Sequence, residues 1–214
     1  MTTVILAHGE FPSSDRTLGF LKHADRIICC DGAAERLLAE GIVPDLIIGD
    51  MDSLPSELQQ RYAGIVRKIS EQETNDLTKA FKAALEPMPD TIHILGATGR
   101  REDHTMANVS LLADYAEMLS GSGCDIDMIT ESGTFRAFCA KDARFSCPLG
   151  VEISIFAFDN TLRMSCEGLF YKTDRVTFDT LWKATLNHST AEEFSLHLNH
   201  PAKVVVFICN PEDN

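Results

Sequence analysis

Residues 26–52, RIICCDGAAERLLAEGIVPDLIIGDMD, decide the fold. Two short apolar runs, at 26–30 and 46–48, enclose a helical pattern at 33–40. Each run is followed by acid: Asp31 in CDGAAERL, then Asp50 and Asp52 in GDMDS. Apolar runs without polar alternation suit strands covered on both faces, so strand, helix and strand read as a βαβ unit of a parallel sheet. The alternation continues outward on both sides. Apolar runs at 4–7, 65–69 and 91–95 are separated by helical segments at 56–62 and 75–86. A longer helix is expected at 103–119, where Met106, Val109, Leu112 and Met118 recur at helical spacing.

Beyond Gly121-Ser122-Gly123 the period changes. Residues 126–130, 135–139, 151–158, 162–166, 194–198 and 204–209 read as strands, with one helical turn near 179–184. Short strands divided by turn residues indicate a sandwich or small barrel. The expected fold class is therefore α/β: an N-terminal doubly wound, mostly parallel sheet domain over residues 1–122, followed by a C-terminal all-β sandwich domain over 123–214.

Composition narrows the function. The chain has 214 residues, 44% hydrophobic and 24% charged, which is ordinary for a soluble globular protein. At this size it buries enough surface to need no disulfide or structural metal. Its seven cysteines form no CxxC pair, their number is odd, and Cys29 and Cys30 are adjacent inside an apolar run, a usage that fits a reducing cytoplasm. Lys and Arg number 19 against 32 Asp and Glu, for a net charge of −13. That balance opposes binding to nucleic acid or anionic lipid. No run approaches the roughly 20 apolar residues of a membrane span, and MTTVILAHG reads as a first strand. A cytoplasmic protein with neither nucleic-acid nor membrane partners is expected.

In an open parallel sheet, ligands bind beyond the carboxyl ends of the strands. The acidic residues fall there. Asp31 follows the strand at 26–30, and Asp50 and Asp52 follow that at 46–48. Asp76, in TNDLTK, opens a helix after the fourth strand, and Asp103, in GATGRREDH, lies between the fifth strand and the long helix. Taken singly, each has a structural reading, as turn chemistry or as a complement to a helix dipole. Their delivery to one rim by four successive strand ends is what such readings do not require. Carboxylates gathered within about 4–6 Å raise one another's pKa, and a divalent cation relieves this. Oxygen-only ligands favour Mg²⁺, its shell completed by water and substrate phosphates. Lys79, Arg100 and Arg101 in the same loops suit the remaining phosphate charge. His104, beside Asp103, reads equally as a base or as a helix-start histidine with a structural hydrogen bond. The composite is phosphoryl-type transfer from a metal-bound nucleotide.

In order and spacing, the segments CDGAAERL, PDLIIGDMDSL, TNDLTKAF and GATGRREDHTMANVSLL, with GLFY at Gly168–Tyr171, resemble the motifs of the thiamin pyrophosphokinase family. The resemblance implies a homodimer that transfers a pyrophosphoryl group from Mg-ATP to the thiamin hydroxyl and releases AMP. It also implies that residues 1–122 bind nucleotide and metal, and that 123–214 bind thiamin and dimerise. On this reading Asp50, Asp52 and Asp76 hold the metal. Asp31, Gly32, Lys79, Arg100 and Arg101 meet the nucleotide, while Asp76, Asp103 and Arg101 are catalytic, with Asp103 orienting or deprotonating the hydroxyl. Asn187 of TLNHST, with Ser189 nearby, binds thiamin. The sequence departs from the family at Ala33 and Glu35, where DGGAN becomes DGAAE, and at Leu186, which replaces a serine. No aromatic stands at 200–204, where some members carry a stacking Trp; Trp182 reads as a substitute for it or, more commonly for a lone Trp, as a core residue. The alternatives are a pyrophosphokinase acting on another alcohol such as a hydroxymethylpterin, and a non-catalytic nucleotide-binding module.

Overall fold

The structure, a computed structural model, describes residues 1–211. The chain divides into two compact units. One comprises Met1–Leu111 and Gly121–Glu131; the other comprises Leu112–Ser120 and the residues from Ser132 onward.

The first unit holds β1 (Thr2–Leu6), α1 (Asp15–Lys22), β2 (Arg26–Cys30), α2 (Ala33–Ala39), β3 (Leu46–Gly49), α3 (Ser56–Arg61), β4 (Val66–Lys68), α4 (Asp76–Ala84), β5 (Thr91–Leu95) and β6 (Asp125–Ile129). Helix α5 (Glu102–Met118) begins in this unit and passes into the second at Leu112. Every strand pair is parallel, in the order β4-β3-β2-β1-β5-β6. The alternation of side chains explains why the apolar runs are unbroken. Val4, Leu6, Ile27, Cys29 and Ile47 join one core with Leu21 of α1, Leu37 of α2 and Leu54. Their neighbours Ile5, Ile28 and Ile48 are equally buried but point to the opposite face, where α4 packs on β1, β2 and β3. The chain steps outward from β1 to β4 and then returns to β1's other edge with β5. This places the reversal of strand order between β1 and β5, the position where such sheets open a crevice.

Two sequence readings are corrected here. The first strand assigned to the β domain, at 126–130, is β6: it pairs parallel with β5 through Asp125–Met128 and belongs to the first unit. The boundary expected at 122 therefore falls inside Gly121–Glu131, a segment of the first unit, because a Gly/Ser turn also serves to return a helix to its own sheet. Helix α1 was not anticipated. Ser14 caps it, its hydroxyl accepting from the Thr17 amide at 3.2 Å, and Gly19 within it masks the helical pattern.

In the second unit, β7 (Gly133–Ser146), β8 (Glu152–Ala157), β9 (Met164–Glu167), β10 (Asn187–His188) and β11 (Glu193–Cys209) pair antiparallel. The runs at 194–198 and 204–209 are one strand. β11 follows β7 along its length, but residues 198–201 face only Lys141, and Pro201, which has no N–H to give a ladder, sits in that bulge. β11's other edge meets β9 at Ser195–Leu198 and β8 at Val204–Ile208. Phe194 and Leu196 from one half share a core with Val204 and Val206 from the other, so this sheet folds over on itself while staying hydrogen-bonded through β7 and β11. The expected helical turn at 179–184 is a non-helical turn at 181–184. All seven cysteines are free thiols, and no helix among the described residues is long and apolar enough to cross a membrane.

Candidate active site

At the carboxyl ends of the first unit's strands lies a cleft of about 690 Å³, with Ala7, His8 and Gly9 after β1 on one side of the reversal point and Gly96, Ala97 and Thr98 after β5 on the other. Asp31, Asp50 and Asp76 enter it from three consecutive crossover connections, each offering a carboxylate oxygen within 4.8 Å of the other two. The convergence depends on Gly49, the last residue of β3. A Cβ there would stand 2.9 Å from Asp31 Cβ and 3.0 Å from Asp76 Oδ2.

Asp31 is the most enclosed of the three, at 3% exposure, and adopts a left-handed φ of 42°. Its two oxygens accept the amides of Ser53 (3.0 Å) and Leu54 (3.1 Å), so this carboxylate shapes the GDMDS loop. Burial pushes its pKa up, and the nearby Asp52 and Asp76 add to that, against the pull of the two amides. Asp50 shifts the other way: Gln72 Nε2 donates to it at 3.1 Å and the Asp52 amide at 3.2 Å, holding it below the usual carboxylate range. Asp76 is the first residue of α4, whose cap is Asn75, accepting from the Thr78 amide at 2.9 Å. One turn along the helix, Lys79 is buried at 4% exposure and places Nζ 3.0 Å from Asp76 Oδ1. Oxygen donors alone, gathered this closely and only partly neutralised by one ammonium, form a ligand set suited to a hard divalent cation.

Several expected site residues stand elsewhere. Asp52 is exposed, accepts from its neighbour Ser53 Oγ at 2.9 Å, and lies beside Asp31 and Asp50, outside the trio whose oxygens come within 4.8 Å of one another. The reason is the backbone: Met51, with φ of 63°, reverses the chain between Asp50 and Asp52. Gly32 caps α2 without lining the cleft. Arg100 and Arg101 do line it, Arg100 donating to the His8 carbonyl at 3.2 Å. Arg101 grips Asp103 with two hydrogen bonds, at 3.1 and 2.6 Å. That guanidinium, with the His104 amide, holds the Asp103 pKa down to about 2, which favours an orienting over a proton-accepting role for this exposed carboxylate.

In the second unit, Asn187 is 4% exposed and its side chain is committed. Oδ1 accepts the amides of Tyr171 and His188, both at 2.9 Å, and Nδ2 donates to the Tyr171 carbonyl at 2.8 Å. Ser189 Oγ donates to the Pro148 carbonyl at 2.7 Å and accepts the Val151 amide at 3.2 Å. Both residues serve as internal braces in the structure, where ligand contacts were expected. Asn187 secures the turn that presents Phe170 and Tyr171, both exposed, with the Phe170 ring stacked on His188 at 4.5 Å. Trp182, read as core, is 71% exposed.

Sequence reasoning missed His8, Gln72, Ser53 and Thr74, which all line the cleft. Gln72 was legible in one respect, since it lies four residues before Asp76 in the same loop. Glu71 braces that loop by accepting the amides of Glu73 (2.8 Å) and Thr74 (3.0 Å) and the Thr74 hydroxyl.

Residues 18–120 match the family model described as the thiamin pyrophosphokinase catalytic domain, and residues 133–207 the one described as the thiamin pyrophosphokinase substrate-binding domain. Among curated proteins, the chain is 33% identical over 121 residues to thiamine pyrophosphokinase 2 of rice (Oryza sativa subsp. japonica), covering 45% of each chain. It is 36% identical over 86 residues to the thiamine pyrophosphokinase of Bacillus subtilis, covering 38% of this chain and 40% of that one. The alignments thus span less than half the length of these relatives. The crystal structure of the Bacillus subtilis thiamine pyrophosphokinase superposes with a TM-score of 0.75 at 21% identity, covering 99% of this chain and 100% of that one. The thiamin pyrophosphokinase of Candida albicans does so with 0.79 at 19% identity, covering 97% and 88%. With both halves matched in order by the family's two domain models, and a mixed α/β fold shared with its solved members, the chain belongs to the thiamin pyrophosphokinase family.

Proposed function

We propose that the chain transfers a pyrophosphoryl group from Mg-ATP to the hydroxyl of thiamin, giving thiamin diphosphate and AMP. The observation that carries this reading is the meeting of Asp31, Asp50 and Asp76 at the reversal point of a parallel sheet. Asp31, Asp50 and Asp76 would hold the magnesium ion, with Asp52 on the adjoining loop. Bound there, the ion offsets phosphate charge and draws electron density from the phosphorus under attack. Lys79 limits repulsion within the trio by neutralising Asp76. Asp31 fixes the loop that carries Asp50, and Gln72 orients the Asp50 carboxylate. Arg100 and Arg101 at the rim face the polyphosphate, while Asp103 keeps the Arg101 guanidinium in a set orientation. The thiamin hydroxyl attacks the β-phosphorus and AMP leaves from the opposite side. In a loose transition state this needs little base strength. The match of residues 133–207 to a thiamin pyrophosphokinase substrate-binding domain favours thiamin over another alcohol. A homodimer fits the exposed Phe170, Tyr171, Trp182 and Leu186, which a second copy would cover, and the free thiols fit a cytoplasmic setting.

Incubation of the purified protein with ATP, Mg²⁺ and thiamin is expected to form AMP and thiamin diphosphate in equal amounts, and EDTA to stop the reaction. Formation of ADP and thiamin monophosphate, or nucleotide turnover indifferent to thiamin, would overturn the proposal.

A further inference from the structure

The loop after β1 holds a group that the site's other residues leave without a role. His8 lies at the carboxyl end of β1, lines the cleft, and is exposed. Its ring has no hydrogen-bond partner among the described residues, whereas its backbone is firmly placed. The Ala7 amide donates to the Leu95 carbonyl (2.8 Å), the Gly9 amide to that of Gly96 (2.6 Å), and Arg100 Nη1 to the carbonyl of His8 itself (3.2 Å). The ring is seated as well. A Cβ on residue 32 would stand 2.5 Å from His8 Cε1, 2.9 Å from its Nδ1 and 2.9 Å from Ser53 Cβ, so the imidazole lies over Gly32 beside the GDMDS loop.

Loops that cradle phosphate at strand ends do so with free backbone amides. Here the amides flanking His8, and that of Glu10, which donates to Thr98 O at 2.8 Å, are all consumed in tying β1's loop to β5's. The basic side chains of the cleft are also engaged: Lys79 with Asp76, Arg101 with Asp103, and Arg100 with the His8 carbonyl. The imidazole is thus a positioned polar group, able to donate, at the reversal point of the sheet, where the phosphates of a bound nucleotide sit. We infer that His8 is a nucleotide-binding residue whose imidazole N–H donates a hydrogen bond to a phosphate oxygen of the bound ATP. The inference rests on the nucleotide reading of the cleft and adds to it a contact made by a side chain outside the acidic and basic motifs.

The test is calorimetric titration of the intact protein with the magnesium complexes of α,β-methylene-ATP and of inorganic tripolyphosphate, neither assay depending on thiamin turnover. His8→Ala is expected to bind both about tenfold more weakly, the loss of one hydrogen bond to a charged group. His8→Gln, which keeps an N–H donor, should recover most of the affinity. The ring is exposed, so urea midpoints of both variants should match the wild type. Equal nucleotide affinity in wild type and His8→Ala would overturn the role of His8 alone. So would a loss confined to α,β-methylene-ATP with tripolyphosphate unaffected, which would assign the ring to the nucleoside. A wild-type protein that binds neither probe would overturn the nucleotide reading of the cleft and the inference with it.

Discussion

Gly49→Ala is the substitution on which the three-carboxylate geometry is most exposed to test. The added Cβ would meet Asp31 Cβ at 2.9 Å, Asp76 Oδ2 at 3.0 Å and Asp76 Cγ at 3.1 Å. Ordinary carbon contacts begin near 3.5 Å, so each neighbour must retreat by about half an ångström. The Asp76 carboxylate, at the end of a side chain, can swing away. Asp31 Cβ cannot move without its backbone, already held at a φ of 42° by the turn between β2 and α2. Overpacking of this kind costs about 1–3 kcal/mol. The roughly 0.4–1 kcal/mol gained by restricting the unfolded chain offsets only part of it. The second effect is on metal. Mg²⁺ demands near-ideal octahedral placement of its oxygens, and displacing one ligand by half an ångström should weaken binding at least tenfold. In wild type, Mg²⁺ at a hundred times its Kd adds about 2.7 kcal/mol to stability. A tenfold weaker site loses about 1.4 kcal/mol of that increment. Urea denaturation with and without Mg²⁺ reads both quantities. A Gly49→Ala protein within about 0.5 kcal/mol of wild type without metal, and with an unchanged Mg²⁺ increment, would show that the three carboxylates do not converge as described.

Two further substitutions test braces remote from the trio. Glu131 accepts the Ser13 amide (2.7 Å) and the Thr17 hydroxyl (2.7 Å) at the start of α1. Although burial pushes its pKa up, these hydrogen bonds and those from Ser14 outweigh it and bring the value down to about 2. The folded value lies below the unfolded carboxylate's roughly 4.3, so the stabilisation is complete above that pH and is lost as pH falls toward 2. Glu131→Gln should therefore cost about 1–2 kcal/mol at neutral pH, and the gap from wild type should close in acid. A gap in urea midpoints that is constant from pH 6 to about pH 2.5 would contradict the assignment. Asn187→Ala leaves the Tyr171 and His188 amides unpaired and should destabilise by about 2–3 kcal/mol. Unchanged stability combined with a selective loss of thiamin affinity would restore Asn187 to ligand contact.

What the sequence disclosed, and what it hid, follows one distinction. Strands β1, β2, β3 and β5 were readable because each is covered on both faces, and the acids that end them fall at the cleft by position alone. The choice among those acids was not readable. Which three of them converge depends on two left-handed residues, Asp31 and Met51, and Met51 is not of a type that announces such a conformation. Asn187 was assigned to thiamin by resemblance alone, and its main bracing partner, the backbone of Tyr171, lies 16 residues away and leaves no local mark. β6 was assigned to the second half because it follows Gly121-Ser122-Gly123, and a turn of that composition looks the same whether it separates domains or returns a helix to its own sheet. His8 was passed over because a single histidine after a strand has no pattern, and its surroundings, above all the missing side chain at Gly32, exist only once the sheet has formed.

Neither unit is a single uninterrupted stretch of chain, and this bears on how the protein is made and how it can be cut. As the polypeptide emerges from the ribosome, β5 remains an open edge until residues 125–129 follow it. The segment Leu112–Ser120, produced earlier, clusters with strands that are synthesised last. The α/β half is thus still unfinished when synthesis of the β half begins, and the β half depends on helical turns made before its first strand. A fragment ended at residue 122 would leave the β5 edge unpaired, and an open edge invites edge-to-edge association. Dissection of this protein into separately folding halves calls for the first half to be carried through Glu131.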